Sequence, residues 1–274
     1  TGALQAYVYL EGLLPFRRPV IVGTELVALS ALLTCRRAGI RPVAVLEAND
    51  RPTAPWALSQ FPRLLGIPVR YRTELVAIRG GERVEAVTVR GPDGGPGEIA
   101  CDGVLLTGQF VPEASLVRAS HLVLDPGSGG PAIDQFGRCS DLAFFAAGNV
   151  LRPVETAGWS FREGRRIAGC IADDLTGALP TIDRMLPITT GPGVKLVVPQ
   201  RLALPLAGNA LRHLQVRAEQ ATRGELRLTL DGVTVWRRRG GAIPERRLLV
   251  PLHDLAIPST ARRAAVDFVG AREC

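Results

Sequence analysis

The chain has 274 residues, which at about 100–200 residues per domain allows one large domain or two modest ones. Hydrophobic residues make up 46%, enough for a packed core, which excludes a disordered chain. Residues 1–194 balance at 19 Lys/Arg and 19 Asp/Glu, while residues 195–274 carry 14 against 7 and so hold the whole net charge of +7; with aromatics at 5%, the chain offers no stacking platform for single-stranded nucleic acid.

Val20-Ile21-Val22 is a β-branched run that Gly23 ends. From Glu25 to Arg37 the pattern turns helical, with Leu26, Leu29, Leu32 and Leu33 on one face. Gly39 closes that helix, and Pro42 to Leu46 forms a second buried strand ending at Glu47. Strand, turn, helix and strand in this order make a βαβ unit. Residues 56–66 read as a short helix interrupted by Pro62. Val69–Arg72, Leu75–Arg79 and Val84–Arg90 follow as a β-meander, Asp93-Gly94-Gly95 as a turn, and Ile99–Thr107 as a returning strand.

Residues 125–131 form a Gly/Pro-rich loop, and Leu142 to Ala147 a compact apolar strand ending at Gly148. A helix is expected from about Thr156, its N-cap, to Leu175. The stretch 179–193 breaks the composition with prolines and glycines. Beyond it the pattern is all β, with strands at 194–204, 211–219, 225–230, 233–238, 246–252 and 264–269. Asp231-Gly232 marks a hairpin between two of them, and so many short strands imply a small sandwich.

The first βα turn reads Gly23-Thr24-Glu25-Leu26-Val27-Ala28. A dinucleotide-binding turn would be G-x-G-x-x-G/A: the first glycine for the tight bend, the second for close approach of the pyrophosphate, the third position for helix–strand packing. Gly23 and Ala28 keep the first and third positions, but Glu25 puts a carboxylate where two phosphates belong. Glu47 follows Gly23 by 24 residues, at the strand end where an acid holds an NAD ribose. Two readings stay open. Either Glu25 faces the helix dipole and nucleotide binding is lost, or a shifted or weak NADH site remains. Gly95–Ala100 and Gly127–Ala132 match the glycine pattern formally, yet neither lies between a strand and a helix, so both are loops.

The five cysteines, Cys35, Cys101, Cys139, Cys170 and Cys274, form no Cys-x-x-Cys pair, so neither a disulfide framework nor a metal site is expected, and four should pack as small apolar residues. His121, His213 and His253 each stand without a Cys or carboxylate at ligand spacing. Arg237-Arg238-Arg239 is either a solvated strand edge or a docking site. With no run of about 18 apolar residues and no signal peptide, a cytoplasmic protein without a membrane span is expected. The start at Thr1 suggests a processed or truncated chain.

The block Cys139–Val150 (CSDLAFFAAGNV) resembles the second FAD fingerprint of the pyridine nucleotide-disulfide oxidoreductase superfamily, in which a short strand delivers Ala-Gly-Asp to the ribityl chain. Asp102–Pro112 (DGVLLTGQFVP) is similar to the same superfamily's strand and Gly-Arg-x-Pro turn, where the chain passes from the nucleotide domain back to the FAD domain. The resemblance covers residues 1 to about 178 and points to the thioredoxin-reductase-like branch, particularly flavoprotein subunits of bacterial dehydrogenases. It implies FAD as cofactor, with Gly148, Asn149, Thr156, Ala157, Gly158 and Trp159 as its contacts and the helix N-terminus aimed at the flavin pyrimidine. It also implies a nicotinamide dinucleotide site at Gly23, Thr24, Glu25, Ala28 and Glu47, here degenerate, with NAD(P) as a doubtful second cofactor. Departures are clear: position 149 is Asn where the pattern has Asp, the redox Cys pair is absent, and 22 residues precede Gly23 where the family places its FAD-diphosphate turn far upstream.

The expected fold is α/β: a connector at 1–16, a Rossmann-like NAD(P)-binding-type domain at 17–108, the returning part of an FAD domain at 109–178, a linker at 179–193, and a β-sandwich at 194–274. The expected function is FAD-dependent electron transfer within a dehydrogenase complex of protein subunits, with no nucleic acid and no catalytic acid or base to name. The rivals are an NAD(P)H-dependent flavin reductase and a non-catalytic interaction subunit.

Overall fold

The computed structural model describes every residue except 109, 207–210, 254, 259 and 271–274. The chain divides into two compact units, Thr1–Gln109 and Phe110–Cys274.

In the first unit a short helix α1 (Gly2–Gln5) runs on as a π-helical turn, Ala6–Leu10. Strand β1 (Val20–Val22), helix α2 (Leu26–Arg37) and strand β2 (Ala44–Leu46) then form the expected βαβ unit, with β1 and β2 parallel. Helices α3 (Trp56–Ser59) and α4 (Phe61–Leu64) are separated at Gln60, because Pro62 at the start of the second cannot continue the first. Strands β3 (Val69–Arg70), β4 (Glu74–Arg79), β5 (Ala86–Arg90), β6 (Pro96–Ala100) and β7 (Val104–Leu106) follow. The order β3-β2-β1-β7 is a four-stranded parallel sheet, and β4-β5-β6 an antiparallel meander.

Four details differ from the sequence expectation. The first of the three meander strands is instead β3, which joins the parallel sheet beside β2. The strand expected at Ile99–Thr107 breaks at Cys101–Gly103, where the Asp102 carboxylate accepts bonds from the Arg17 and Arg18 amides at 2.7 and 2.6 Å. Gly95–Ala100 is mostly strand β6 and not a loop. Helix α2 also buries a different face: Ala28, Ala31, Leu32 and Cys35 lie in the core, while Leu26 and Leu33 are exposed. Small side chains let the helix sit close on the sheet, where Ile21, Val45 and Leu105 meet it.

The second unit starts with helix α5 (Ser115–Arg118) and a loop-rich stretch pinned by single bridges Leu124↔Pro131 and Arg138↔Phe145. The strand expected at 142–147 does not form; apart from that one bridge it has no partner strand among the described residues, and Leu142 and Phe144 are exposed. A 3₁₀ turn at Gly148–Val150 leads to α6 (Ala157–Leu175). Strands β8 (Arg184–Thr190), β9 (Val194–Val198), β10 (Arg201–Leu204), β11 (His213–Ala218), β12 (Thr222–Leu230), β13 (Val233–Ala242), β14 (Leu248–Pro251) and β15 (Ala264–Gly270) complete the unit.

Two sheets, β10-β8-β15-β12-β13 and β14-β11-β9, enclose one core that includes Leu186, Val216, Leu226 and Phe268. This is the expected sandwich, with a strand, β8, inside the stretch expected as a connector, and with 194–204 split in two at Pro199-Gln200. The prolines at 180 and 187 hid β8, whose Leu186 and Ile188 alternate into the core. Asp231 and Gly232, at φ 47° and 88°, make the expected two-residue hairpin turn between β12 and β13. Among the described cysteines, Cys35, Cys101, Cys139 and Cys170 are buried and in no disulfide; Cys274 and Gln109 lie outside the described residues.

Candidate functional site

In an open parallel sheet, ligands lodge at the carboxyl ends of the strands where the strand order reverses direction. Here that point lies between β1 and β7. Gly23, at φ 108°, follows β1, and Thr107-Gly108 follow β7. The Glu25 side chain fills the gap between them. A Cβ built on Gly23 would come within 2.3 Å of Glu25 Oε2, and one on Gly108 within 2.6 Å of Glu25 Oε1. Thr107 Oγ1 lies 2.7 Å from Glu25 Oε2 and 2.9 Å from the Val22 carbonyl, so its hydroxyl faces two acceptors. Glu25 is the N-cap residue of α2 but makes no capping bond to its amides. Its carboxylate is turned back over the glycine turn.

Further groups of the chain close the same turn. Thr24 is buried; its hydroxyl donates to Glu47 Oε2 and accepts from the Thr53 amide at 2.9 Å. The Thr24 carbonyl accepts from the Ala54 amide at 3.0 Å. The other oxygen of Glu47 takes the Asn49 amide and side-chain N–H at 3.0 and 2.7 Å. Both oxygens of Glu47 are therefore engaged inside the protein, and the residue is only 4% exposed. Ala28 is buried on the sheet side of α2, the packing role of the third position.

The second candidate region lies in the second unit. Gly148 has φ 79°, and its amide donates to Glu163 Oε2 at 2.8 Å. Asn149 is exposed and receives a bond from Ser160 Oγ at 3.1 Å on its amide oxygen. Thr156 is the N-cap of α6, with extended backbone and no side-chain cap bond, and Ala157 and Gly158 are exposed at the helix start. Helix starts leave backbone N–H groups without intrahelical partners and carry partial positive charge.

Beneath this surface runs a buried ion network. Arg152 donates to both oxygens of Glu163 at 2.8 Å, and Gln215 donates to Oε1 at 2.9 Å. Glu155 pairs with Arg152 at 3.5 Å, Arg217 at 3.4 Å and Arg247. The Arg247 guanidinium lies 3.9 Å over the Trp159 ring. Burial pulls the Arg217 guanidinium down to about 10, with Glu155 opposing that fall. Arg152, Arg217 and Arg247 thus face Glu155 and Glu163, and Glu245 adds a third carboxylate to the field at Arg217.

The expected residues thus fall into two separate groups: Gly23, Thr24, Glu25, Ala28 and Glu47 in one unit, and Gly148, Asn149, Thr156, Ala157, Gly158 and Trp159 in the other. Sequence reading missed Glu163, Arg152, Thr107, Gly108 and Thr53. Glu163 had a signal: it stands four and seven residues before Ile167 and Cys170, on the buried stripe of α6, where a carboxylate needs a buried partner. His121, read as isolated, bonds Asp141 at 2.8 Å; a separation of 20 residues gives no local pattern. The Ala143 amide and then His121 hold the Asp141 carboxyl below its usual range.

No protein-family model matches the sequence, and no curated protein does. Solved structures do. Thioredoxin reductase of T. acidophilum is similar at a TM-score of 0.54 and 20% identity, over 63% of this chain and 56% of its own. A FAD-dependent pyridine nucleotide-disulphide oxidoreductase from Desulfovibrio vulgaris is similar at 0.50 and 19%, over 82% of this chain and 59% of its own. The chain spans less than two thirds of the length of either relative. With its four-stranded parallel sheet, antiparallel meander and further β-sheets, the chain shares the α/β fold of these two proteins.

Proposed function

We propose that the chain is part of an FAD-dependent oxidoreductase, a dehydrogenase flavoprotein subunit, whose nicotinamide site is closed by its own side chains. Residues 17–108 are the nicotinamide-type domain in this reading and 109–178 the returning part of the FAD domain. The observation that carries the reading is Glu25, whose carboxylate lies against Gly23 and Gly108 at the strand-order reversal. An anionic diphosphate there would meet a fixed negative charge at short range, a repulsion of several kcal/mol at low effective dielectric, on the order of 4 kcal/mol at 4 Å and ε near 20. NAD(P) does not fit these residues.

FAD does fit the second region. The exposed start of α6 and the Asn149 side chain suit a ring that gains negative charge and a polyhydroxyl chain. Bound there, the flavin would supply the electron-transfer chemistry. The chain's own part is to bind and orient. Gly148 and Asn149 would meet the ribityl side and the Ala157 and Gly158 amides the pyrimidine edge, while the Thr156 amide is bonded to Glu155 Oε1 at 2.9 Å and Trp159 is held by the Arg247 guanidinium. Glu163 fixes the Gly148 amide and so the course of that loop.

The test uses Gly158→Glu in the protein as isolated from its cells. A Cβ built on Gly158 would meet the Arg162 side chain at 3.6 Å and no other side chain within 4 Å, so a larger residue is accommodated. Its carboxylate would oppose a reduced flavin at the helix start. Flavin content is expected to fall well below that of the parent, with the circular dichroism spectrum unchanged. Equal flavin content in both proteins would refute the placement.

A further inference from the structure

Strand β13 closes one side of its five-stranded sheet: β12 pairs with it along Thr222–Leu230, and its other edge has no partner strand among the described residues. The edge is long, Val233–Ala242, and every residue from Val233 to Gly241 except Trp236 is exposed. An open edge is a row of unused backbone N–H and C=O groups, which another extended chain can pair with.

The outer face beside this edge is basic. The pairing register sets Arg223, Glu225 and Arg227 of β12 opposite Gly241, Arg239 and Arg237 of β13. Alternate residues share a face, so four arginines and Glu225 stand together, joined by Asp267 of β15 opposite Arg227. Glu225 is bonded to Arg227 at 2.9 Å and to Arg239 at 3.2 Å. Arg223 and Arg237 have no carboxylate within ion-pair distance among the described residues. Arg223, Glu225, Arg227, Arg239, Gly240 and Gly241 line an open hollow of about 580 Å³.

The glycines of this hollow bear on its use. Gly224 is required by the fold, since a Cβ there would come within 2.1 Å of the Val269 carbonyl. Gly240 and Gly241 are not: neither has positive φ, and a Cβ would meet nothing nearer than 4.0 Å. Glycine within a strand weakens it, and it marks a bulge, a tight bend or a site where another backbone or a ligand approaches closely; the register of β13 with β12 is regular at both positions.

We infer that the β12–β13 face and the free edge of β13 receive an extended acidic segment of a partner protein, added as a further strand. A peptide uses both features at once. Its backbone pairs with the open edge, and its carboxylates, on every second residue, meet Arg237 and Arg239. A nucleic acid uses neither the edge nor the hollow well: it has no strand hydrogen-bonding pattern, the outer face carries no aromatic ring for stacking, and Glu225 and Asp267 stand within the basic stripe. A second copy of the chain is disfavoured because its own run of Arg237 to Arg239 would oppose the same run.

The experiment titrates the full chain with a fluorescein-labelled octapeptide of alternating Glu and Val, read by fluorescence anisotropy at physiological salt. Saturable binding is expected. It should weaken at least tenfold in Arg237→Glu/Arg239→Glu, persist in Arg237→Lys/Arg239→Lys, and weaken at least tenfold when alternate peptide nitrogens are methylated. Circular dichroism of each variant checks that the fold is retained. No binding to the parent, or binding that neither the charge reversal nor the methylation alters, would overturn the inference. Displacement of the peptide by a lower concentration of single-stranded DNA would overturn it in favour of a nucleic-acid surface.

Discussion

Replacing Glu163 with Ala removes the acceptor for three donors at once: the Gly148 amide, the Arg152 guanidinium and the Gln215 side chain. Glu163 and Arg152 side chains are 2% and 1% exposed, so the pair is shielded from bulk solvent. Removing one partner of a buried ion pair costs about 3–5 kcal/mol. Glu155 still faces Arg152 at 3.5 Å, which places the expected loss near the lower end, about 3 kcal/mol. For a unit of this size each kcal/mol lowers the melting temperature by about 2–4 °C, so the second unit should melt roughly 6–12 °C earlier. Thermal unfolding of the full chain followed by circular dichroism measures this. The double variant Arg152→Met/Glu163→Met should lose less than the sum of its single changes, because the unpaired charge is then gone. A shift in Glu163→Ala below about 2 °C would refute the claim that this carboxylate anchors the Gly148 loop.

Three further outcomes follow from the same geometry. Glu25→Gly should tighten NADH binding at least tenfold in a fluorescence titration, at a cost of only a few tenths of a kcal/mol at the helix start; micromolar affinity in the parent with no gain in the variant would contradict the closed site. Burial pushes the Cys35 and Cys170 thiols up to about 11, so iodoacetamide at pH 8 should leave both unlabelled in the native protein and label both in urea, as peptide mass mapping will show. Because the folded Asp141 carboxyl is held below its usual value of 3.8, its contribution is present above that value and is lost as pH falls through the folded value; the Ala143 amide resonance should shift in that acidic window and stay still in Asp141→Asn.

The βαβ unit, the sandwich and the Asp231-Gly232 hairpin were legible because each rests on a local pattern: apolar periodicity, a glycine at a bend, a two-residue turn. The elements that were misread lack such a pattern. Strand β3 is two residues long and is placed by pairing with β2. Strand β8 contains Pro187 and is recognisable only by its neighbours β10 and β15. The apolar run at 142–147 looks like a strand but finds no ladder to join among the described residues. Glu25 stood out in the sequence as the wrong residue in a phosphate turn. That it folds back onto Gly23, Thr107 and Gly108 depends on β7, some 80 residues later, and only the fold brings that strand beside β1.

In the proposed function a flavin is held at the start of α6 and Glu25 closes the nicotinamide site. The most direct measurement is the visible spectrum of the protein isolated from its own cells, taken as purified, after NADH, and after dithionite. The account predicts flavin absorbance that NADH leaves intact and dithionite bleaches. A colourless protein would contradict the flavin reading, and bleaching by NADH would contradict the closed site.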